Sequence, residues 1–276
     1  MNLQMTYKKA AEAVKSSRAL VITAGAGMGV DSGLPDFRGS KGFWTAYPIY
    51  ERLGINFVEA ANPAHFVQDP AFGWGFYGHR ADLYSSTSPH QGFYLLLHWI
   101  QQNNLDYFIV TSNVDGHFLK AGFAEENIYE VHGSIRHLQC TRPCSADIWS
   151  SNEAVPVDLE NMRAGHIPRC PHCGAVSRPN ILMFGDYFWN DGRSAHQEEN
   201  FGAFLKLHRQ NPLVVIEIGA GTAVPTIRRL SERLGKRYRA TVIRINPREP
   251  FIANPHFSFA CTALDGLRGI DAFMKE

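Results

Sequence analysis

Three groups of residues in this 276-residue chain have the types and spacing to do chemistry. The first runs from Val21 through Ala24, Gly25, Ala26, Gly27 and Gly29 to Asp31-Ser-Gly33-Leu-Pro35-Asp36-Phe37-Arg38. An apolar run entering closely spaced glycines is how a buried parallel strand meets a phosphate, because bare backbone can approach a pyrophosphate and aim its N–H groups at it. The fingerprint of hydride-transferring dinucleotide enzymes requires a third glycine, here at position 30, with a helix behind it. Val30 stands there instead, and Pro35 interrupts the region where that helix would run. The loop therefore predicts a nucleotide site built for something other than hydride transfer.

The second group is Thr111-Ser112-Asn113-Val-Asp115 together with His132. Asn113 and Asp115 follow an apolar run with one residue between them, so both can face one crevice. An amide and a carboxylate there suit a carboxamide, a ribose hydroxyl or a cationic ring; they would equally close the strand with an Asx-type turn. His132 lies just beyond another short apolar run, beside Gly133. An imidazole that titrates near neutrality at that edge suits a general base, or a purely structural hydrogen bond.

The third group is two close cysteine pairs, Cys140-x3-Cys144 and Cys170-x2-Cys173, with Pro143, Pro171 and Gly174 as turn formers. Four thiolates so arranged predict a structural zinc site whose shell is closed to water and substrate. His137, His166 and His172 lie close by as substitute ligands, though the spacing does not require them. The fifth cysteine, Cys261, stands alone in Phe257-Ser-Phe-Ala-Cys and reads as a small buried hydrophobe.

The elements that must position these groups alternate. Residues 6–18 suit an amphipathic helix, and the strand into the glycine loop follows. From 39 to about 89 the chain is rich in aromatics (Phe43, Trp44, Tyr47, Phe66, Phe72, Trp74, Phe76, Tyr77), which predicts a helical insertion over the nucleotide cleft. A helix is expected over 91–104, with strands at 106–111, 127–131, 179–184, 213–218 and 240–245. Strands alternating with helices predict an α/β fold with a mostly parallel sheet, whose ligands bind beyond the carboxyl ends of the strands. Hydrophobic residues make up 45% and charged residues 19% of the chain, with a formal net charge of +1, so nothing predicts a nucleic-acid or anionic-membrane surface. An odd cysteine count, no apolar leader and no run long enough to span a bilayer predict a cytoplasmic protein with reduced thiols.

In content and order, the glycine loop ending Gly33-Leu-Pro-Asp-Phe-Arg38, Thr111-x-Asn113-x-Asp115, His132-Gly133, the cysteine pairs and Arg178-Pro-x-Ile181-Leu182-x-Phe184-Gly185-Asp186 resemble the sirtuin (Sir2) family over nearly the whole chain. The resemblance implies a Rossmann-type large domain (about 1–38, 89–137 and 177–276). It also implies a small domain made of a helical insertion (39–88) and a zinc module (138–176), in which Cys140, Cys144, Cys170 and Cys173 bind one structural zinc ion. NAD would be consumed as a co-substrate. The carbonyl oxygen of an acylated protein lysine would displace nicotinamide, and His132 would deprotonate a ribose hydroxyl that attacks the resulting imidate, giving free lysine and O-acyl-ADP-ribose. His132, Asn113 and Asp115 form the implied catalytic set.

Carried over by position, Ala24, Gly25, Ala26 and Gly27 would line the pyrophosphate, and Asp36, Phe37 and Arg38 would close over the nicotinamide side. Ser112, Asn113 and Asp115 would hold nicotinamide and its ribose. Gly219, Gly221, Asn246 and Cys261 complete the implied NAD-binding set, with Asn246 at the adenine ribose. Ile181, Leu182, Phe184, Gly185 and Asp186 would form the strand that pairs with the substrate backbone. Tyr77-Gly-His-Arg80 resembles the Tyr-x-x-Arg of members that remove acidic acyl groups such as succinyl, where an arginine binds the distal carboxylate; an exposed helical i, i+3 pair is the plain alternative.

The chain departs from the family pattern at Gly29 (usually serine), Ser112 (usually glutamine), His117-Phe118 (usually Leu-His), the wider first cysteine pair and Gly219-Ala-Gly221-Thr222. The expected activity is NAD-dependent protein-lysine deacylation by a monomer. Transfer of ADP-ribose to a protein and non-catalytic NAD sensing are the alternatives.

Overall fold

A run of small or branched residues, polar only at Thr23, favours a strand buried on both faces, and Ala19–Ala24 (β1) is buried throughout, with the Thr23 hydroxyl paired to Ser231 at 2.9 Å. Its neighbours explain why. Leu20 and Ile22 enter a core with Ala10, Trp99 and Ile270, whereas Val21 enters a second core with Phe108, Phe201 and Leu234. The alternation of side chains along the strand thus feeds two layers of helices. The protein is described from a computed structural model over residues 2–36 and 39–274, with side chains described from residue 42 in the segment that follows residue 38.

In chain order, α1 (Leu3–Lys15) precedes β1, and two short 3-10 turns, Ala26–Met28 and Val30–Ser32, stand where a dinucleotide-binding helix would begin. The insertion is helical as expected: α2 (Gly39–Ala46), α3 (Pro48–Arg52), α4 (Phe57–Ala60), α5 (His65–Gln68) and α6 (Pro70–Ser86). Then come α7 (Gln91–Gln102), β2 (Asp106–Thr111), α8 (His117–Lys120), β3 (Ile128–Glu130), β4 (Gly133–Cys140) and the two-residue strands β5 (Trp149–Ser150), β6 (Val157–Asp158) and β7 (Arg163–Ala164). The chain ends with β8 (Ser177–Ile181), α9 (Gly192–Leu207), β9 (Leu213–Ile218), α10 (Thr226–Tyr238), β10 (Thr241–Ile245), β11 (Phe257–Phe259) and α11 (Ala263–Asp271).

The parallel sheet has the order β11-β10-β9-β1-β2-β3, which is the 3-2-1-4-5-6 order of the Rossmann fold. Chain direction reverses its march across the sheet between β1 and β9, and that is the switch point at which a dinucleotide binds. Register sets the carboxyl ends level: Ala24 lies opposite both Thr111 and Ile218, Thr111 opposite Glu130, and Ile245 opposite Ile218.

Two expectations about strands need correction. The run 179–184 does not join the parallel sheet; β8 pairs antiparallel with β4 in a three-stranded sheet with β5, with an irregular register between Ser134 and Leu138. Pro179 donates no hydrogen bond, and the buried polar Arg178 and Asn180 suit a strand lined by side-chain partners rather than a hydrocarbon layer. The edge strand β11 was not expected at all, because three residues carry too little periodicity to read. Cys261, expected to be buried, is only partly so, with its Sγ 3.9 Å from the Tyr7 hydroxyl. A separate aromatic core (Phe43, Tyr50, Phe66, Phe76, Tyr77, with Leu138 and Ile181) joins the helical insertion to β4 and β8. No helix among the described residues is long and apolar enough to cross a membrane.

Candidate active site

The glycine loop is fixed by how closely two turns approach. Gly25 N–H donates to the Ile218 carbonyl (3.0 Å) and Gly27 N–H to the Gly219 carbonyl (3.1 Å). A Cβ on Gly27 would lie 2.6 Å from the Gly219 Cα, and Gly219 itself has φ +64. Only glycine fits either side of this contact. The result is a side-chain-free cradle at the switch point, with Ala26 exposed and Gly27 and Gly221 partly so. Its far wall is His90, a residue that sequence reasoning did not single out. Gly92 N–H donates to His90 Nδ1, so the ring proton sits on Nε2 and reaches the Met28 carbonyl at 2.9 Å, while His90 N–H donates to the Ser32 hydroxyl. Its position as N-cap of α7, just after Pro89, was the available signal.

Asn113 and Asp115 open on the same crevice from the end of β2. The Asn113 side-chain amide donates to the Gly25 carbonyl at 3.0 Å, which ties the β2 loop to the glycine loop. Asp115 Oδ1 accepts from His117 N–H at 2.9 Å, the Asx-type turn weighed for it, while the residue stays partly open to the cleft. Burial raises the Asp115 carboxyl above its ordinary value, against the opposing pull of His117 and Arg80. Ser112 N–H donates to the Ala24 carbonyl. His132 sits across from it, partly exposed at the end of β3. Burial lowers its pKa, and a hydrogen bond to the Ser112 backbone acts in the opposite direction. A neutral imidazole bounded by these loops can accept a proton. Gly133 follows with φ +79 and packs so tightly on the Asn180 carbonyl that a side chain could not enter.

Tyr77 and Arg80 lie on α6, both buried (Arg80 is 7% exposed), so they are not an exposed helical pair. The guanidinium donates from Nε and Nη2 to the Tyr84 hydroxyl and lies 5.2–5.7 Å from the ring centres of Phe76, Tyr77 and Tyr84. Burial pushes the Tyr77 hydroxyl up to about 12. Arg80 is therefore a deep cation packed among aromatic rings.

After β8, Leu182 N–H donates to the His132 carbonyl and Phe184 N–H to the Ala61 carbonyl. Leu182 and Phe184 are 39% and 37% exposed, beside the exposed Tyr187 and Phe188. Gly185 makes the turn with φ +67. Two expected site residues turn inward. Asp186 forms a buried bidentate pair with Arg178 (2.6 and 2.9 Å) and accepts from Phe188 N–H, so it braces this segment. Asn246, wholly buried, donates to the Ala220 carbonyl and accepts from the N–H groups of Arg248 and Glu249, so it braces the loops beyond β9 and β10. Ala24 and Ile181 are buried, and Arg248 stands 3.7 Å from the partly exposed Asp36. Phe37 and Arg38 lie outside the described residues.

The four cysteines converge. All four sulfurs lie within 4.8 Å of one another, with Cys140–Cys173 and Cys144–Cys170 at 3.6 Å. That spacing is far too long for disulfides, whose S–S distance is about 2.0 Å. It matches the edge of a tetrahedron of thiolates about 2.3 Å from a zinc ion. Such an ion has no open position and serves structure alone.

Comparison with known proteins agrees with this geometry. The Sir2 family model matches residues 25–205. The chain is 32% identical over 182 residues to NAD-dependent protein deacylase 1 of Caldanaerobacter subterraneus subsp. tengcongensis, covering 66% of this chain and 67% of that protein. It is 30% identical over 239 residues to an NAD-dependent protein deacylase of Aeropyrum pernix, covering 87% and 85%. A solved Sir2 homologue–NAD complex shares the fold, with a TM-score of 0.71 over 97% of this chain and 93% of that one at 22% identity.

Proposed function

The chain belongs to the Sir2 family, and from that premise we propose that it is an NAD-dependent protein-lysine deacylase that releases nicotinamide and O-acyl-ADP-ribose. The observation that carries this reading is the position of His132, a partly exposed imidazole whose pKa burial lowers, beside the loops of Ser112, Asn113 and Gly25 at the carboxyl ends of the parallel strands. The cradle of Gly25, Gly27 and Gly219 suits a pyrophosphate, since every atom lining the closest approach is backbone. NAD supplies the electrophilic ribose carbon, and the chain's residues do the rest. Asn113 and Asp115 orient the nicotinamide ribose, with Ser112 beside them, while Ala24 and Ala26 line the pyrophosphate with Gly25 and Gly27. Asp36, Phe37 and Arg38 are assigned to the nicotinamide side, and Gly221 and Cys261 to the NAD-binding set. Leu182 and Phe184, whose N–H groups are held by the His132 and Ala61 carbonyls, offer their own carbonyls to the peptide, so that the acyl carbonyl is held against the ribose. His132 takes the ribose hydroxyl proton. Cys140, Cys144, Cys170 and Cys173 hold a zinc ion that supplies structural cross-linking.

On the same reading the chain divides into a large domain (about 1–38, 89–137 and 177–276) and a small one (39–88 and 138–176). It works as a monomer on acylated proteins of the cytoplasm. The test is incubation with NAD and an acetyl-lysine peptide. Nicotinamide and O-acetyl-ADP-ribose should form in equal amounts, and His132→Ala should slow the reaction by about 10²–10⁴-fold. ADP-ribose attached to protein without peptide deacylation would instead establish the transferase, and NAD binding without nicotinamide release would establish a sensor.

A second, finer reading follows from Arg80. A cation packed among aromatic rings is a strong partner for a carboxylate, and we infer that acidic acyl chains such as succinyl reach it. Arg80→Met should lower desuccinylation by at least about tenfold relative to deacetylation, as loss of one charged hydrogen bond implies. An unchanged ratio would rule this out.

A further inference from the structure

The step from Asp115 to Gly116-His117-Phe118 is where the sequence leaves the family pattern, and the structure gives that histidine a definite place. The ring is 1% exposed and meets Phe93 edge to face, with centroids 6.0 Å apart. Its backbone N–H holds Asp115, yet neither Nδ1 nor Nε2 has a hydrogen-bond partner among the described residues. A buried imidazole left in that state is costly, and native structures nearly always satisfy such groups through protein or ordered water.

The partner has a place to sit. Beside the ring lies a cavity of about 20 Å³ lined by Asp115, His117, Thr111, Glu130, Ser134 and His137. The Nδ1 of His137 is likewise buried without a partner, so two unpaired imidazoles meet the same space. About 10–15 Å³ suffices for one water, provided that two to four polar groups surround it. The carboxylates have different company. Glu130 is bound by Arg193 at 2.7 Å, whereas Asp115 receives the N–H of His117, lines the cavity and is partly exposed. A cation is a poorer fit, because among the described residues only the four cysteines converge closely enough for metal ligation.

We propose that the cavity holds an ordered water bridging the His117 ring to the Asp115 carboxylate, and that His117 is thereby a positioning residue for the productive placement of NAD. This rests on the reading above, in which Asp115 meets the nicotinamide ribose. The imidazole fixes the carboxylate from behind, while the cleft side stays free for the substrate. The same water can accept from or donate to His137 and Ser134, so the site is satisfied before NAD arrives.

The test joins crystallography with kinetics. A crystal structure of the wild type at a resolution that shows solvent should place a water about 2.7–3.2 Å from a His117 nitrogen and from an Asp115 oxygen. In nicotinamide release with an acyl-lysine peptide, His117→Leu should raise KM for NAD about tenfold, with the loss falling on KM more than on kcat. His117→Gln, whose amide can still hold the water, should recover most of that loss. A role confined to packing predicts the reverse ranking, with leucine, the better match to Phe93, closer to wild type in both KM and melting temperature. A dry cavity, or equal KM values in the leucine and glutamine variants, would overturn the proposal. The two readings fail separately: a wild type that releases no nicotinamide overturns the deacylase, while the crystallographic water is decided without turnover.

Discussion

His132 can take a proton only while its ring is neutral. Burial holds its pKa below the ordinary 6.5, so the neutral form persists to lower pH than in a free histidine. The sign is therefore definite. The acid limb of kcat/KM for an acyl peptide should fall below pH 6.5, and the rate should stay level as pH rises through 7. A limb above pH 6.5 in a pH–rate profile would remove His132 as the base. At this scale much of the candidate site was legible, since Asn113, Asp115 and His132 declare themselves by type and by standing just past apolar runs. What a sequence withholds is the direction a polar side chain faces. Asp186 and Asn246 have the right chemistry for a ligand, but each finds internal partners first, Arg178 for one and the Ala220 loop for the other. The burial of Arg80 depended in the same way on aromatics spread over α6.

Among elements, the junction of the turns after β1 and β9 is the least forgiving. Gly27→Ala would set a Cβ 2.6 Å from the Gly219 Cα, and backbone cannot yield as a side chain can. The loops must separate, at a cost of about 1–3 kcal/mol of stability, and NAD affinity should fall with it. Gly202→Ala in α9 makes the contrast, because nothing lies within 4 Å of its Cβ; helix propensity predicts a gain of about 0.5–1 kcal/mol. Thermal melting and calorimetric titration of NAD measure both. If the two variants behaved alike, the close approach would not be what shapes the cradle. The strands that meet here were readable because each is a six-residue run with a single polar residue, Thr23 in one and Glu217 in the other, which leaves few alternatives. β8 was not, because Ser177-Arg-Pro-Asn-Ile181 has no apolar run to read and its place is settled by pairing with β4, a tertiary fact.

For the whole molecule, the division of cores matters most. The parallel sheet is packed on both faces by its own helices, whereas the cysteine module contributes only short strands around the ends of β4 and β8. One zinc ion per chain should be found by elemental analysis. Its removal with a strong chelator should abolish nicotinamide release, while most of the far-ultraviolet helical signal, which comes from α1, α7, α9, α10 and α11, should remain. Full activity without metal would show that the thiols only pack.

The bond from Leu182 N–H to the His132 carbonyl carries one more consequence. In a machine, two parts gauged from separate surfaces accumulate the errors of both, while two parts gauged from one surface share a single error. Here the segment proposed to meet the peptide and the residue proposed to take the proton are gauged from the same pair of backbone atoms. A small displacement of β4 or β8 moves both together, so their mutual alignment tolerates motion that would misalign groups mounted on independent loops.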